Sequence, residues 1–594
     1  MINENFYKII NQEFDAIIEK YKEEENFRTK LKQEEQKKAY AFMIWFLEFY
    51  GKIPRVREEI VDGPGDFSCD IIFPKVDYQN ETVYYVVQSK WNSESNCNKM
   101  ISSDEIKKTL NDFDTILRGS KTESKNERFN ERIKGLQNHL DKNGKVEFLF
   151  ITLSKNNPDV EENLSGFEKA NPNMFVRVFD IHHIKKDFID VRYKKLERLD
   201  LLKRRTNPIN DKITIQLERL GTNNNQIQIK KPFDAYIFLV RPKLVYELFN
   251  KYGYSLFIEN VRNPIKDSDI NKRMQETLLK EPAYFWYYNN GITAISSLIP
   301  ELSKQAKEIE ITGLQIINGA QTVHAVYKAY SEASTTERQK IDEEVLLTFR
   351  LYKSAGEDFD RKVTKYTNAQ NPMSDRDFWA NDPVQIRLQE ESYNTQFWYQ
   401  KRRDEFVEVP EDVTVLDNKL MAGIYISFFY QIPFIAKQAF KDEAIKRYDA
   451  LFLSKKEDDK FGWYEMIFNK ETEYKDLLIA EHIYFYIEKL LPKSGFYDNL
   501  QLSILGLFKI VFEKYLSLKF PQINEIDTID YIYKCFQKED YTELSEVTKF
   551  MQNYIHENYK LEEIQDDDWF LNKEFMRLKV LLPDKLKLKD MEGK

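Results

Sequence analysis

The sequence predicts an α/β protein in three parts: a mixed sheet flanked by helices, a central α+β region, and a mostly helical C-terminal part. Three observations predict it. Short apolar runs alternate with helical patterns up to about residue 195. Residues 209–406 combine further strand-like runs with turns rich in Asn and Gly. Residues 407–594 are dominated by helical periodicity rich in Tyr and Phe. At 594 residues the chain exceeds one hydrophobic core. The boundaries expected are 1–195, 209–406 and 407–594.

Composition narrows the class. Hydrophobic residues make up 42% and charged residues 31%, as in a folded, water-soluble chain. No apolar run approaches bilayer length, and MINENFYKIINQEFD lacks the basic start and apolar core of a secretory signal. Three cysteines, Cys69, Cys97 and Cys535, argue against a disulfide framework or a cysteine-rich zinc site. The expected location is cytoplasmic, with no membrane partner. The net charge of −9 counts against a general nucleic-acid coat protein but leaves room for a focused basic cleft.

Residues 1–51 read as helix, and the second segment, KKAYAFMIWFLEFYG, is apolar on most sides and should pack on the first sheet. GDFSCDIIF and VYYVVQSK read as two strands joined by a polar loop. Asp70 opens the first strand, while Gln88 and Lys90 close the second on one face with Ser89 pointing away. A carboxylate beside an amide oxygen and an ammonium can cleave a phosphodiester. Oxygen ligands hold a hard divalent cation, and the lysine orients water or stabilises developing charge. Ser103 or Asp104 is the expected cap of the next helix. The apolar runs 146–153 and 174–181 then complete the strands.

An Asp on one strand followed by Q-x-K on the next resembles the PD-(D/E)xK nuclease fold. More narrowly it resembles the Mrr-like branch, in which Gln replaces the usual acid and a G-D-x-x-x-D run precedes it. The resemblance implies a restriction-endonuclease-like mixed sheet and Mg²⁺ (or Mn²⁺) as cofactor. It implies Asp70, Gln88 and the Ser89 carbonyl as metal ligands and Lys90 beside the attacking water. Asp66 and Glu59 are further candidates for metal or water, and an acid on the preceding helix, Glu48 or Glu59, would complete the site. The plain alternative is a hairpin with a surface lysine and solvated acids.

The basic stretch KKDFIDVRYKKLERLDLLKRRTNP follows, read as a solvated interdomain helix or, less simply, a nucleic-acid contact. Beyond it come LFIENVR (256–262), FWYYNNGIT (285–293), IINGAQT (316–322), TNAQNP (367–372) and WYQKRR (398–403). In this order they resemble the AIPR family, the abortive-infection phage-resistance proteins, whose members often carry a Q-x-K module at the N-terminus. The residues also have their own reading. Asn289, Asn290 and Gly291 suit a turn with positive φ. Asn318 and Gln321 flank a strand–glycine–helix junction of the kind that receives anions. Asn368, Gln370 and Asn371 form a third amide-rich turn, with Arg262 and Arg350 as phosphate partners. Trp398, Tyr399, Lys401, Arg402 and Arg403 alternate aromatic and basic character as single-strand binding surfaces do, or form an edge strand with solvated charges. His324 and the Glu481–His482 pair read as structural.

Three functions follow. The first is a metal-dependent nuclease governed by a sensing AIPR module in phage defence, acting on nucleic acid, DNA in preference to RNA. The second is a sensor whose nuclease fold has lost catalysis, Gln88 standing where an acid is usual. The third is a nucleotide-handling AIPR domain with Arg262, Asn290, Asn318 and Gln321 around a phosphate. A nucleotide or a phage-derived molecule would be the trigger, and the long aromatic helices offer area for a homodimer.

Overall fold

A computed structural model describes residues 4–53, 56–76, 81–120, 124–196, 200–203, 208–258, 269–368, 375–402, 405–436, 450–452, 463–490, 495–522, 527–558 and 573–587. It is a mixed α/β structure with small sheets and a helical C-terminal part. Among the described residues, no helix is long and apolar enough to cross a membrane.

The first sheet holds β1 (Ile71–Val76), β2 (Thr82–Lys90), β3 (Lys145–Thr152) and β4 (Met174–Phe179) in that spatial order. β1 and β2 are antiparallel, and the β2–β3 and β3–β4 pairs are parallel. Strand alternation sorts the apolar side chains into two cores. Ile71, Phe73, Val87, Leu149 and Ile151 pack under the helices Glu4–Lys20, Glu34–Phe46 and Ile181–Arg192. Ile72, Val86, Phe148 and Phe150 pack on the other face, under Ser103–Leu117, Glu127–Leu140 and Pro158–Ala170. The helix Glu34–Phe46 therefore covers the sheet as its apolar sequence predicts. The cap of Ser103–Leu117 is neither Ser103 nor Asp104 but Ser102, whose hydroxyl accepts from the Asp104 N–H.

The central region contains a five-stranded sheet and a separate antiparallel pair. The pair is β5 (Lys212–Gln216) with β9 (Glu308–Thr312). The sheet is ordered β10 (Gln315–Asn318), β8 (Ile292–Ser296), β11 (Leu347–Lys353), β7 (Ala235–Val240), β6 (Gln226–Ile229). One face of it, carrying Phe238, Ala294 and Phe349, packs against the helices Pro242–Tyr252 and Ala320–Glu332.

The segment around β12 (Phe397–Gln400) and its parallel partner β13 (Thr414–Asp417) ties the regions together. Trp398 and Val413 enter the core beneath the first sheet, whereas Tyr399 and Leu416 enter the helical C-terminal core. Two lysines of the basic stretch after β4, Lys185 and Lys194, turn inward here, whereas Lys186, Arg192 and Lys195 stay exposed as a solvated helix would leave them. Lys185 donates to Asn394 Oδ1 at 2.8 Å, and Lys194 is buried against Asp190 and Glu405, each at 3.1 Å. The C-terminal helices, among them Asn418–Tyr430, Tyr474–Leu490 and Gly495–Lys519, share one aromatic-rich core. Glu481 is buried there with His482 Nδ1 at 2.6 Å from its carboxylate, a structural pair as the sequence reading expects.

Candidate active site

The site is built where β1 begins and β2 ends. The Asp70 N–H donates to the Val87 carbonyl at 2.8 Å, which sets Asp70 one position before the paired strand. Its Oδ2 accepts from the Ser89 N–H at 2.6 Å and from Gln88 Nε2 at 2.5 Å. Gln88 thus turns its amide nitrogen to the carboxylate. Gln88 and Lys90 lie opposite Phe150 and Thr152 of β3, on the face beneath the helix Ser103–Leu117.

The loop before β1 returns two more carboxylates to the same place. Gly63 and Gly65 take positive φ, and Phe67 and Ser68 are consecutive non-glycine residues with φ of 50° and 60°. Such backbone costs energy and persists only where packing and hydrogen bonds hold it. Here the Asp66 carboxylate accepts from the Gly63 and Ser68 N–H groups at 3.0 and 3.1 Å, and the Phe67 ring packs edge-on against Phe129. Oxygens of Asp62, Asp66 and Asp70 consequently lie within 4.8 Å of one another.

The electrostatics of this triad are unbalanced. Asp70 is buried, and burial followed by the charge of Asp62 pushes its pKa up to about 8, against the lowering effect of the Ser89 N–H. Asp66 is also raised, first by burial. The Lys90 ammonium acts on Asp62, Asp66 and Asp70 alike in the opposite sense. Lys90 stands 3.8 Å from Glu105 and lines a cavity of about 250 Å³ with Asn92, Ser102 and Thr152. Three oxygen donors of high local negative potential fit a hard divalent cation, which would replace the proton Asp70 otherwise retains.

Asp66, Asp70, Gln88, Ser89 and Lys90 therefore come together as the sequence predicts. Two expected acids do not join them. Glu48 lies on the turn Leu47–Gly51, which continues a helix covering the opposite face of the sheet, and pairs with Lys20 and Tyr21 at 2.9 Å. Glu59 runs antiparallel to β1 beside Ile72 and forms an ion pair with Arg132 at 3.1 Å. Asp62 and Glu105 escaped the sequence reading. The Asp62, Asp66, Asp70 spacing of four was the available signal for the first, while Glu105 had none, since its helix is placed only by packing.

The amide-rich turns of the central region also converge, with a different outcome. The Asn289 side chain exchanges hydrogen bonds with the Thr322 hydroxyl and accepts from the Gly291 N–H at 2.8 Å. Asn318 Nδ2 donates to the Thr367 carbonyl at 2.7 Å and to Asn368 Oδ1 at 3.2 Å. Asn368 Nδ2 donates to the carbonyls of Ile317 and Thr364, both at 2.8 Å. Gly319 has φ +93°, and a Cβ there would stand 2.6 Å from the Gly291 carbonyl oxygen, so two glycine turns close directly on each other. Asn289, Asn318 and Asn368 hold turns together instead of pointing outward; Asn290 is exposed and Gln321 half-buried. His324 is buried edge-on against Phe249. Trp398 and Tyr399 are wholly buried and offer no face for a base. Lys401 is drawn in with them, burial pushing its pKa down to about 8. Burial opposes the charge of Glu405, yet Lys194, Lys401 and Arg402 around it hold its pKa near 2. Arg402 reaches Asn381 Oδ1 at 2.5 Å. The edge-strand alternative is thus right for the strand and wrong for the solvated charges. Arg262, Gln370, Asn371 and Arg403 lie outside the described residues.

A family model described as AIPR protein matches residues 257–562, just over half of the chain. The chain belongs to the AIPR family. Membership suggests involvement in abortive infection and phage defence. The match begins beyond the carboxylate site, which therefore rests on its own geometry. Neither the curated proteins nor the solved structures yield a match.

Proposed function

We propose that this AIPR protein is a defence effector that hydrolyses nucleic-acid phosphodiester bonds at the Asp62–Asp66–Asp70 site. The observation that carries the reading is the three carboxylates held within 4.8 Å beside the Lys90 ammonium. The strand order supports it too, since an acid at the start of one strand and Q-x-K at the end of its antiparallel neighbour is the arrangement of PD-(D/E)xK nucleases. Mg²⁺ or Mn²⁺ would be held by the three Asp carboxylates, with the Gln88 oxygen and the Ser89 carbonyl as further donors. When bound, it would supply Lewis-acid activation of water and of the scissile phosphate. Gln88 and the Ser89 N–H orient Asp70, and Lys90 stabilises charge developing on the phosphoryl oxygens. Glu105 stands 3.8 Å from Lys90 and lines the same cavity.

The test incubates the purified chain with labelled double-stranded DNA, single-stranded DNA and RNA, each with Mg²⁺, Mn²⁺ or EDTA. A combined Asp70→Ala and Lys90→Ala variant runs beside it. Cation-dependent cleavage lost in the variant is the expected result, with DNA cut in preference to RNA. Undiminished cleavage in the variant would sink the site. A second reading, a sensor without catalysis, is favoured by Gln88 at the usual acid position and by its nitrogen facing Asp70. Divalent-cation binding without cleavage of any of the three substrates would support it.

A further inference from the structure

The aromatic run that precedes the Asn289–Gly291 turn is exposed. Tyr284, Trp286, Tyr287 and Tyr288 show 55%, 47%, 73% and 68% of their surface, while only Phe285 between them is buried. Isolated exposed aromatics are ordinary, but four within five residues of an ordered helical turn form a patch that a water-soluble protein does not keep bare without use. The patch is fixed in place. Trp286 Nε1 donates to Thr348 Oγ1 at 3.1 Å, anchoring the indole to β11. Trp286 meets Tyr287 edge to face at 5.3 Å, and Tyr284 and Tyr288 lie nearly parallel with centroids 6.2 Å apart.

Charge identifies what would cover it. Along β11, Thr348 and Arg350 alternate with the buried Leu347, Phe349 and Leu351, so they share the face to which Trp286 is tied. The Arg350 side chain is exposed, and no ion pair holds it among the described residues. None of the five strands of this sheet contains an Asp or Glu, and residues 282–300 carry no charge at all. In a chain of net charge −9, the aromatic run and the strands of this sheet carry no acid, although the exposed Glu281 flanks the run. An exposed guanidinium in no ion pair among the described residues shares the face to which Trp286 is tied. A protein partner would meet rings here, but nothing would call for the absence of acids. A polyanion with exposed planar bases requires both.

We propose that this face binds single-stranded nucleic acid, with bases stacked on Trp286 and Tyr287 and a phosphate at Arg350. The proposal stands whether or not the carboxylate site cleaves, and it is measured without divalent cation. Fluorescence anisotropy of the full chain in EDTA is recorded with labelled single-stranded DNA, single-stranded RNA and duplex DNA of about 12 nucleotides, a length such a platform spans. The single strands should bind and the duplex bind at least tenfold more weakly, the two single strands deciding between DNA and RNA. Tyr287→Ala removes an exposed ring and should weaken single-strand binding on the order of tenfold. Trp286→Phe should bind better than Trp286→Ala. Arg350→Ala should lower the slope of log affinity against log salt by about 0.7, one phosphate contact on a single strand. Unchanged circular dichroism and thermal midpoint identify variants that remain folded. Equal binding of duplex and single strands, or wild-type affinity in Tyr287→Ala and Trp286→Ala, would overturn the proposal. So would a patch variant that binds normally but turns a dimer into a monomer by light scattering.

Discussion

The carboxylate site and the amide turns are both clusters of polar side chains, and they differ in whether those side chains satisfy one another. Asn289, Asn318, Asn368 and Thr322 exchange donors and acceptors with each other and with nearby carbonyls, so they require no ligand. Asp62, Asp66 and Asp70 crowd acceptors together, with one buried ammonium-facing carboxyl forced to keep a proton near neutral pH. A cluster whose groups satisfy one another builds the fold, whereas crowded carboxylates cost stability unless something positively charged arrives. That contrast is why we propose catalysis for the first region and read the second as architecture, although the motifs of the second are the more conspicuous in sequence.

The largest effect that could break this contrast is on cleavage. Lys90→Ala or Asp70→Ala should each lower the rate on the order of 10²- to 10³-fold, the scale of removing one group that stabilises developing charge. Asn318→Ala should leave the rate within about threefold, because its amide is occupied inside the turn. A collapse of cleavage in Asn318→Ala with the fold intact would erase the distinction.

Next is the pH dependence of stability. An unfolded Asp ionises near 4, and Asp70 in the folded chain only near 8. Between these values the folded state holds a proton the unfolded state has released. The contribution of Asp70 is therefore complete below about pH 4 and declines as pH rises through 8. Asp70→Asn should remove that decline and stabilise the chain by on the order of a few kcal/mol at pH 9. Saturating Mn²⁺ should stabilise the wild type at that pH by about 2.7 kcal/mol when present at a hundred times its dissociation constant. The cation should do nothing for an Asp62→Asn, Asp66→Asn variant. Urea unfolding across pH, with and without cation, measures all three.

A smaller effect belongs to the turns. Asn368→Ala removes the amide donor that the Ile317 and Thr364 carbonyls share and should destabilise by about 1–3 kcal/mol, with binding of divalent cation unchanged. The smallest belongs to Glu48. Its ion pair with half-exposed Lys20 makes Glu48→Gln worth about 1 kcal/mol or less, and cleavage should not move. A hundredfold loss there would return Glu48 to the site.

Much of the site was legible from spacing. Period-two alternation put Gln88 and Lys90 on one face, and an apolar run ending in a lysine marked the strand end. Glu48 shows where such reading stops: its helix was recognisable, but which face of the sheet the helix covers is a matter of packing. WYQKRR shows the same limit, because buried and stacking aromatics have one sequence signature. Trp398 went inside, and with it came charges that Glu405 and Asp190 neutralise.

By itself the sequence determined the local order of strands and helices, the polar groups at the ends of β1 and β2, the five family motifs and the acid-free stretch around Trp286. These depend on the periodicity and composition of neighbouring residues. The tertiary structure decided that Asp62 joins Asp66 and Asp70, that Glu105 rather than Glu48 faces Lys90, that the amides face one another, and that Trp286 rather than Trp398 remains outside. Each of those outcomes depends on which surfaces the hydrophobic cores bring together, and residues far apart in the chain meet only when those cores close.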